Sequence, residues 1–269
     1  MMVVLRENEW AKQRIDNCEL GRHPFETLTR VAKYYLEVER QDKQAARSLL
    51  DVFLLKCNPS ASVIKWEGTM DSAIKFAVKH GAVNIDYIPV SDREMETIKG
   101  IKGAQAQRLA LTLLCLSKYW DEVNGVTSHW VNSEDSEIMK IANINTSTRR
   151  QCLLYNQLYE AGLIRFSRKI DNTNVQVCFI EDGEPVMKIS DLRNLGFQYK
   201  LFLGDNHYYR CKECGLVVRK ENLDSLGFQT SGRPRMYCRE CALSIKLKKN
   251  VNSVMNNASV STSKLRLTV

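Results

Sequence analysis

Two Cys-x-x-Cys pairs in the C-terminal part of the chain are the residues whose type and spacing most clearly predict chemistry. The pairs are Cys211 with Cys214 and Cys238 with Cys241, and residues 215–237 separate them. Each pair can direct two thiolates toward one ion, and two such pairs complete a tetrahedron. Zinc suits this ligand set because it binds thiolates strongly, has no redox chemistry and needs no open coordination position. We therefore predict one structural Zn²⁺; a pair of disulfides and an iron–sulfur cluster are the alternatives.

The segment around the pairs is rich in basic residues and poor in apolar ones. Residues 205–249 offer few core candidates, and segments of this size usually need a metal or a disulfide in order to fold. With its two cysteine pairs, this module resembles zinc ribbons. The motif Ser231–Arg235 resembles the Gly-Arg-Pro core of an AT-hook, which enters A·T-rich minor grooves, and an ordinary turn is the alternative. The AT-hook resemblance implies that Arg233 and Arg235 contact nucleic acid.

The charge of the chain favours a polyanionic partner. Its 269 residues carry a formal net charge of +8, with a pI near 9.0. A surplus of this size is typical of proteins that bind nucleic acid, and a generally basic protein kept soluble by its charge is the alternative. The sequence contains no internal repeat, nucleotide-binding glycine motif or hydrolase motif.

The sequence predicts a cytoplasmic protein, in a bacterium or a phage host, with reduced thiols. The first residues soon turn polar and no run of about 18 apolar residues occurs, so we expect neither a signal peptide nor a membrane partner. We expect no small-molecule substrate. The remaining cysteines stand singly among apolar neighbours and are expected to be buried free thiols. They are Cys18, Cys57, Cys115, Cys152 and Cys178.

Residues 1–90 have the periodicity of a helical bundle. Apolar residues recur at intervals of three and four between 25 and 36, which indicates an amphipathic helix that begins at Pro24. We expect further helices over 7–18, 43–57 and 71–80. A short strand within 83–92 and a linker near Pro89 are expected to follow.

Residues 91–182 predict the order helix, short strand, helix, turn, helix and hairpin, which is the order of a winged helix-turn-helix. The stretch from Ile141 to Lys169 resembles the winged-helix regions of bacterial and phage replication and regulatory proteins. The likeness is carried by Ala142, Thr146–Arg150, Leu158 and the Glu160–Ile164 motif. The fold class expected is therefore mainly α, as an α+β protein. It comprises an N-terminal helical bundle, a central winged helix-turn-helix and a C-terminal zinc ribbon.

The winged-helix interpretation assigns the nucleic-acid-binding residues. A recognition helix directs its N-terminal residues to a major groove, while the wing contacts the flanking backbone. The helix residues expected at DNA are Ser147, Thr148, Arg149 and Arg150, and those of the wing are Arg165, Arg168, Lys169, Asn172 and Asn174. Leu154, Tyr155 and Leu158 are expected to turn inward. A solvated basic face and a protein-docking wing are the alternatives.

The rest of the chain completes the predicted organisation. Residues 183–204 are expected to form a linker, 205–255 the zinc ribbon with a basic helix, and 256–269 a mobile tail. The combination is similar in architecture to small proteins carried by phages and mobile elements. It predicts a non-enzymatic protein that binds nucleic acid, with duplex DNA as the main expectation, in transcription regulation or replication initiation. One alternative is an interaction module or inhibitor that docks on RNA polymerase or another host machine. The other is a nuclease of the HNH type, disfavoured because His207 stands without catalytic neighbours.

Overall fold

The computed structural model describes residues 3–168, 174–220 and 236–246, and it is helix-rich with small antiparallel sheets. Its helices are α1 (Glu7–Asn17), α2 (Pro24–Glu37), α3 (Lys43–Cys57), α4 (Val63–Lys79), α5 (Asp92–Gly100), α6 (Ala104–Asn124), α7 (Asp135–Ile141), α8 (Thr148–Glu160), α9 (Leu195–Phe202) and α10 (residues 239–246). Its strands are β1 (Ile88–Ser91), β2 (Trp130–Val131), β3 (Ile164–Phe166), β4 (Val175–Val177), β5 (Pro185–Ile189), β6 (Tyr208–Arg210) and β7 (Val217–Arg219). The predicted helix-rich α+β class is confirmed. None of the helices in this part of the chain combines the length and the apolar character that crossing a bilayer requires.

The chain divides into two compact units, and each is assembled from separated segments. The first unit comprises Met1–Gly100, Leu113–Asn132 and Tyr159–Leu192, and the second comprises Ile101–Thr112, Ser133–Leu158 and Arg193–Val269. These boundaries differ from the consecutive domains that the sequence predicted. Residues 183–204, predicted to be a linker, contain β5 and α9 instead.

Four helices of the first unit pack around one core. α2 contacts α1, α3 and α4, and Leu28, Val31 and Tyr35 are buried at the spacing that the sequence predicted. Pro24 occupies the first turn of α2, where its missing N–H costs no helical hydrogen bond. Asp42 caps α3 by accepting a 2.8 Å hydrogen bond from a backbone N–H of its first turn. All four predicted helices are present, and α4 begins earlier than expected.

A two-stranded sheet of the first unit joins residues that are far apart in sequence. β1 pairs with β5 in antiparallel register, with Ile88 opposite Ile189. At the start of α5, Ser91 Oγ accepts a hydrogen bond from the Glu94 N–H, and the Glu94 carboxylate accepts one from the Ser91 N–H at 2.8 Å. This reciprocal pair is a capping box. Glu94 is fully buried, and its carboxylate lies 2.7 Å from the Lys118 ammonium. The chain is therefore folded where a linker was predicted.

A three-stranded antiparallel sheet of the first unit has the strand order β2–β4–β3. Trp130 lies opposite Gln176, and Ile164 lies opposite Val177. Gly162 precedes β3 with φ of 72°, a left-handed conformation that glycine adopts readily, as expected for the residue just after a helix. β3 and β4 lie where the sequence predicted a hairpin, and β2 lies where it predicted a short strand.

In the second unit, α9 packs against the hairpin of β6 and β7. The rings of Phe197 and Tyr208 lie 5.0 Å apart between centroids, and Tyr199 is fully buried. Gly196 lies so close to the end of α7 that a Cβ at this position would be 2.0 Å from the Ala142 carbonyl oxygen. Only glycine therefore fits there without a shift of the backbone.

The isolated cysteines are free thiols, but most of them are not buried. Cys115 is buried as predicted, Cys57 is partly exposed, and Cys18, Cys152 and Cys178 are exposed. Adjacent residues on a helix project about 100° apart, so the apolar sequence neighbours of Cys152 do not place it in the core. The prediction of burial was therefore wrong for Cys18, Cys152 and Cys178, and helix geometry gives the reason for Cys152.

Candidate metal centre and nucleic-acid interface

The first cysteine pair occupies the turn of a β-hairpin. β6 and β7 pair in antiparallel register, with Arg210 opposite Val217. Cys211 begins the turn, and its carbonyl oxygen accepts a 3.0 Å hydrogen bond from the Gly215 N–H. Gly215 follows Cys214 directly and has a φ of 70°, a left-handed conformation that favours glycine. The Cys-x-x-Cys-Gly sequence thus folds a tight turn with both cysteines inside it.

The second pair lies at the start of a helix rather than in a second turn. Cys238 precedes α10, and its carbonyl oxygen accepts a 2.9 Å hydrogen bond from the Ala242 N–H. Cys241 therefore falls in the first turn of this helix. The Cys238 N–H donates a 3.3 Å hydrogen bond to Cys211 Sγ, which joins the helix start to the hairpin. The two cysteine pairs therefore lie in different local structures, one in a hairpin turn and one at a helix start.

All four sulfur atoms converge. The Sγ atoms of Cys211, Cys214, Cys238 and Cys241 lie within 4.8 Å of one another, and those of Cys214 and Cys238 are 3.8 Å apart. A tetrahedral site with metal–sulfur bonds of about 2.3 Å has sulfur–sulfur edges of about 3.8 Å. A disulfide would need about 2.05 Å, and all four residues are free thiols. The residues therefore fit one metal ion held by four sulfurs.

The protonation of these thiols is set by burial and by the hydrogen bonds around them. Burial opposes the charged form of Cys211, but the backbone N–H groups of Cys214, Cys238 and Glu213 bond to its sulfur and lower its pKa to about 6. Burial, together with hydrogen bonds shared with the other sulfurs, raises the pKa of Cys241. The Cys211 thiolate forms readily, while Cys214 and Cys241, whose pKa values are raised by burial first, resist the addition of further negative charge. A cation at the centre removes this conflict, because it stabilises all four thiolates at once.

His207 does not join the group. Its exposed ring lies outside the cluster, and its Nδ1 is 2.8 Å from Asp205 Oδ1. The backbone N–H of His207 has the largest effect on the Asp205 carboxyl and lowers its pKa, and the hydrogen bond from the His207 ring lowers it further. Four cysteines are thus the complete ligand set in the described residues.

The start of α8 presents the residues predicted to bind nucleic acid. Ser147, Thr148, Arg149 and Arg150 are all exposed. Ser147 caps the helix, since its Oγ accepts a 3.4 Å hydrogen bond from the Arg150 N–H.

The opposite face of α8 anchors the helix. Leu154, Tyr155 and Leu158 are buried, as predicted. The Tyr155 hydroxyl donates a 3.0 Å hydrogen bond to Asp135 Oδ1, and burial together with this carboxylate raises its pKa. Tyr155 therefore stays neutral and fixes α8 to the first turn of α7.

The residues predicted for the wing have different environments. Arg165 and Arg168 are exposed. Asn174 is partly buried, and its side-chain amide donates a hydrogen bond to the Asn132 side chain. The other predicted residues fall outside the described residues: Lys169, Asn172, Arg233 and Arg235.

Two kinds of residue were not predicted from the sequence. Leu153 and Asn156 share the exposed face of α8 with Arg149, and the spacing of four and seven residues was the signal that could have found them. Asn143 and Asn194 both have a positive φ, and their side chains are hydrogen-bonded to each other. An asparagine just after a predicted helix indicates the first of these, but no sequence signal pairs it with the second.

Comparison with known proteins identifies no relative from which a function could be inferred. No protein-family model matches the chain, and neither a curated protein nor a solved structure shows significant similarity to it.

Proposed function

We propose that the chain is a non-enzymatic protein that binds duplex DNA through α8, in transcription regulation or replication initiation in a bacterial or phage-host cytoplasm. The observation that carries the proposal is the start of α8, where Arg149 and Arg150 are exposed beside the hydroxyls of Ser147 and Thr148. No ion pair joins either arginine to a described residue. Arginine donors at a helix N-terminus suit phosphates and guanine edges.

The order of the elements supports a winged helix-turn-helix. α6, β2, α7, α8, β3 and β4 follow one another in the order expected of that fold. β2 also pairs with β4, which lies between β2 and β3. In such a domain α8 is the recognition helix and the β3–β4 connection is the wing.

The direction in which each arginine projects predicts its role. With about 100° per residue, Arg149 projects nearly opposite to the buried face formed by Leu154, Tyr155 and Leu158. Arg150 projects to the side of that face. If the exposed face of α8 lies in a DNA groove, Arg149 would therefore contact the base edges and Arg150 would contact the DNA backbone. We assign sequence reading to Arg149 and phosphate anchoring to Arg150.

The cysteine cluster is proposed to be a structural zinc site of a ribbon-like module. Four thiolates in a tetrahedral arrangement with no open position are typical of structural zinc. The module also adds positive charge, because basic residues around the cluster are exposed. They are Lys212, Arg219, Lys220, Arg239 and Lys246. Exposed charge of this kind supports a polyanionic partner.

One observation favours the second candidate, a module that docks on RNA polymerase or another host machine. Leu153 is 50% exposed and lies on the same face of α8 as Arg149. An apolar side chain there suits either a thymine methyl group or a protein pocket.

Single substitutions measured on two DNA populations test the proposal. A preferred site is first selected from a random duplex pool, and affinity is then measured on that site and on random duplex at one salt concentration. Arg149→Ala should weaken binding to the selected site by about 5- to 150-fold, equivalent to about 1–3 kcal/mol, and have little effect on random DNA. Arg150→Ala should weaken both.

Controls separate the proposal from its alternatives. Arg168→Ala should weaken binding to both populations and reduce the salt slope by about one if the wing touches a phosphate. Arg22→Ala, an exposed arginine preceding α2, should change nothing. If neither Arg149→Ala nor Arg150→Ala alters the ratio of selected to random affinity, α8 does not read sequence. Loss of a protein partner on Leu153→Ser with unchanged DNA affinity would favour docking.

A further inference from the structure

Two asparagines with left-handed backbones meet in the second unit. Asn143 lies in the turn between α7 and α8 and has a φ of 52°, while Asn194 precedes α9 and has a φ of 55°. Their side chains meet in a 3.0 Å hydrogen bond between Asn143 Nδ2 and Asn194 Oδ1. Two residues that are 51 positions apart, each in a conformation that few side chains adopt, thus form one contact.

The backbone groups at the two ends of this contact fix the direction of both amides. The Phe197 N–H, which can only donate, donates a 3.1 Å hydrogen bond to Asn143 Oδ1. Asn143 Nδ2 must then donate to Asn194 Oδ1, which leaves Asn194 Nδ2 as the donor at the far end. That group donates a 3.0 Å hydrogen bond to the Val217 carbonyl oxygen, which can only accept. The four groups form a directed chain.

One end of the chain is the hairpin that holds half of the cysteine cluster. Val217 is fully buried and is the first residue of β7, three positions after Cys214. The other end is the Phe197 N–H of α9, and Asn143, which lies between the two ends, belongs to the turn between α7 and α8. Arg108 Nη1 donates a 2.8 Å hydrogen bond to the Asn143 carbonyl oxygen. The turn is therefore held both from α6 and from the metal-binding hairpin.

We propose that Asn143 and Asn194 are positioning residues that make the α7–α8 turn depend on the metal centre. When four cysteines hold an ion, the hairpin is fixed, the Val217 carbonyl is in place and the two amides hold the turn. When the ion leaves, the hairpin loosens and the turn loses its support. This inference rests on the proposed function, because it gives the metal the role of presenting the DNA-binding helix.

Hydrogen exchange of the full-length protein, measured with and without Zn²⁺ under reducing conditions, tests the dependence. The reporters are the Asn143 and Ile144 N–H groups, which bond within the turn region to the carbonyls of Lys140 and Met139. Removal of Zn²⁺ should speed their exchange by about tenfold, the size expected when one or two hydrogen bonds are lost. The Val177 N–H of the first unit should not respond.

We call the hydrogen-bonded pair of Asn143 and Asn194 side chains the relay. Two variants of Asn194 distinguish an effect of the relay from a general loss of stability. Asn194→Asp can still accept from Asn143 but cannot donate to Val217, so its turn should exchange equally with and without Zn²⁺ while one equivalent of Zn²⁺ remains bound. Asn194→Gly accepts the backbone conformation and removes both hydrogen bonds, so its zinc-loaded turn should exchange like that of the zinc-free parent. Arg40→Gly, at an exposed residue with a φ of 53°, is the matched control.

Two results would overturn the relay. One is a parent protein whose turn amides ignore the removal of Zn²⁺, and the other is Asn194→Asp that responds as the parent does. Protein that binds no Zn²⁺ would overturn it together with the metal centre. The readout contains no DNA, so failure of the relay leaves the Arg149 experiment standing. A working relay in a protein without sequence preference would instead show that the metal positions this turn for another partner.

Discussion

Replacement of Cys238 by Ser should unfold the metal-binding module and leave the first unit intact. Cys238 is buried, its Sγ lies 3.8 Å from Cys214 Sγ, and its N–H bonds to Cys211 Sγ. The hydroxyl of serine is a poor zinc ligand, so the substitution should remove one of the four metal bonds of the proposed zinc site. Because Cys238 also joins the helix start to the hairpin, the change affects both halves of the module.

The size of the effect follows from how little else holds the module. Among the described residues between 205 and 246, Val217 is the only buried aliphatic side chain. One such side chain contributes about 1.5–3 kcal/mol, whereas a structural zinc ion contributes an apparent binding free energy of about 10–16 kcal/mol. We therefore expect the proposed zinc ion to decide whether the module folds. Loss of a direct ligand should lower zinc affinity by more than the 10- to 100-fold typical of an outer-shell partner.

The positions of the tryptophans make a clean assay possible. The four tryptophans are Trp10, Trp66, Trp120 and Trp130, and all of them belong to the first unit. Tryptophan fluorescence during urea denaturation therefore reports the first unit alone, and hydrogen exchange of the hairpin amides reports the module. Cys238→Ser should leave the fluorescence midpoint unchanged and abolish protection in β6 and β7.

The matched control is Cys178→Ser, which changes an exposed free thiol of the first unit. Native mass spectrometry should find one Zn²⁺ in this variant and in the parent, and less than about half an equivalent in Cys238→Ser. Protected hairpin amides in a Cys238→Ser protein without zinc would refute the reasoning, because the hairpin would then fold without its ion.

Two further predictions concern the first unit and use the same fluorescence assay. Glu94→Gln should lower the free energy of unfolding by about 3 kcal/mol, because it leaves the Lys118 ammonium without its buried carboxylate. Glu96→Gln, on the exposed side of α5, should have little effect. Equal unfolding midpoints for the two variants would contradict this prediction. Burial raises the pKa of Cys115 from 9.0 to about 12 and that of Tyr119 from 10.0 to about 12. The stability that their neutral forms contribute is therefore complete below pH 9 and should be lost as the pH rises from 9 toward 12. An unfolding midpoint that stays constant over this pH range would contradict the prediction.

Features that depend on local spacing were predictable from the sequence. The two Cys-x-x-Cys pairs are read directly from the chain, and the structure brings all four sulfurs together. Leu154, Tyr155 and Leu158 follow helical periodicity and are buried as expected. The N-terminal helices were found for the same reason, since an amphipathic helix repeats its pattern every three to four residues.

Features that depend on contacts between distant residues were not predictable in the same way. A short strand was expected within 83–92, where β1 lies, but nothing near Ile88 indicates that it pairs with Ile189. Without that pairing, β5 looks like part of the predicted linker 183–204. α5 is a partial exception, because the Ser91-x-x-Glu94 pattern at its start is a capping-box signature that was overlooked. α9 is short, and its fit depends on the contact of Gly196 with α7, which no local pattern encodes.

The asparagines at 143 and 194 show why residue choice matters beyond backbone conformation. A left-handed residue other than glycine costs of the order of 1 kcal/mol, so glycine would be the simpler choice if these positions served only as turns. Glycine, however, has no side-chain amide that could accept from the Phe197 N–H or donate to the Val217 carbonyl. Such strain persists only where the surroundings determine it, and here backbone groups of α9 and β7 do so. Because both positions are asparagine, their side chains connect the hairpin of the proposed metal site to the turn that precedes α8, the helix that carries Arg149.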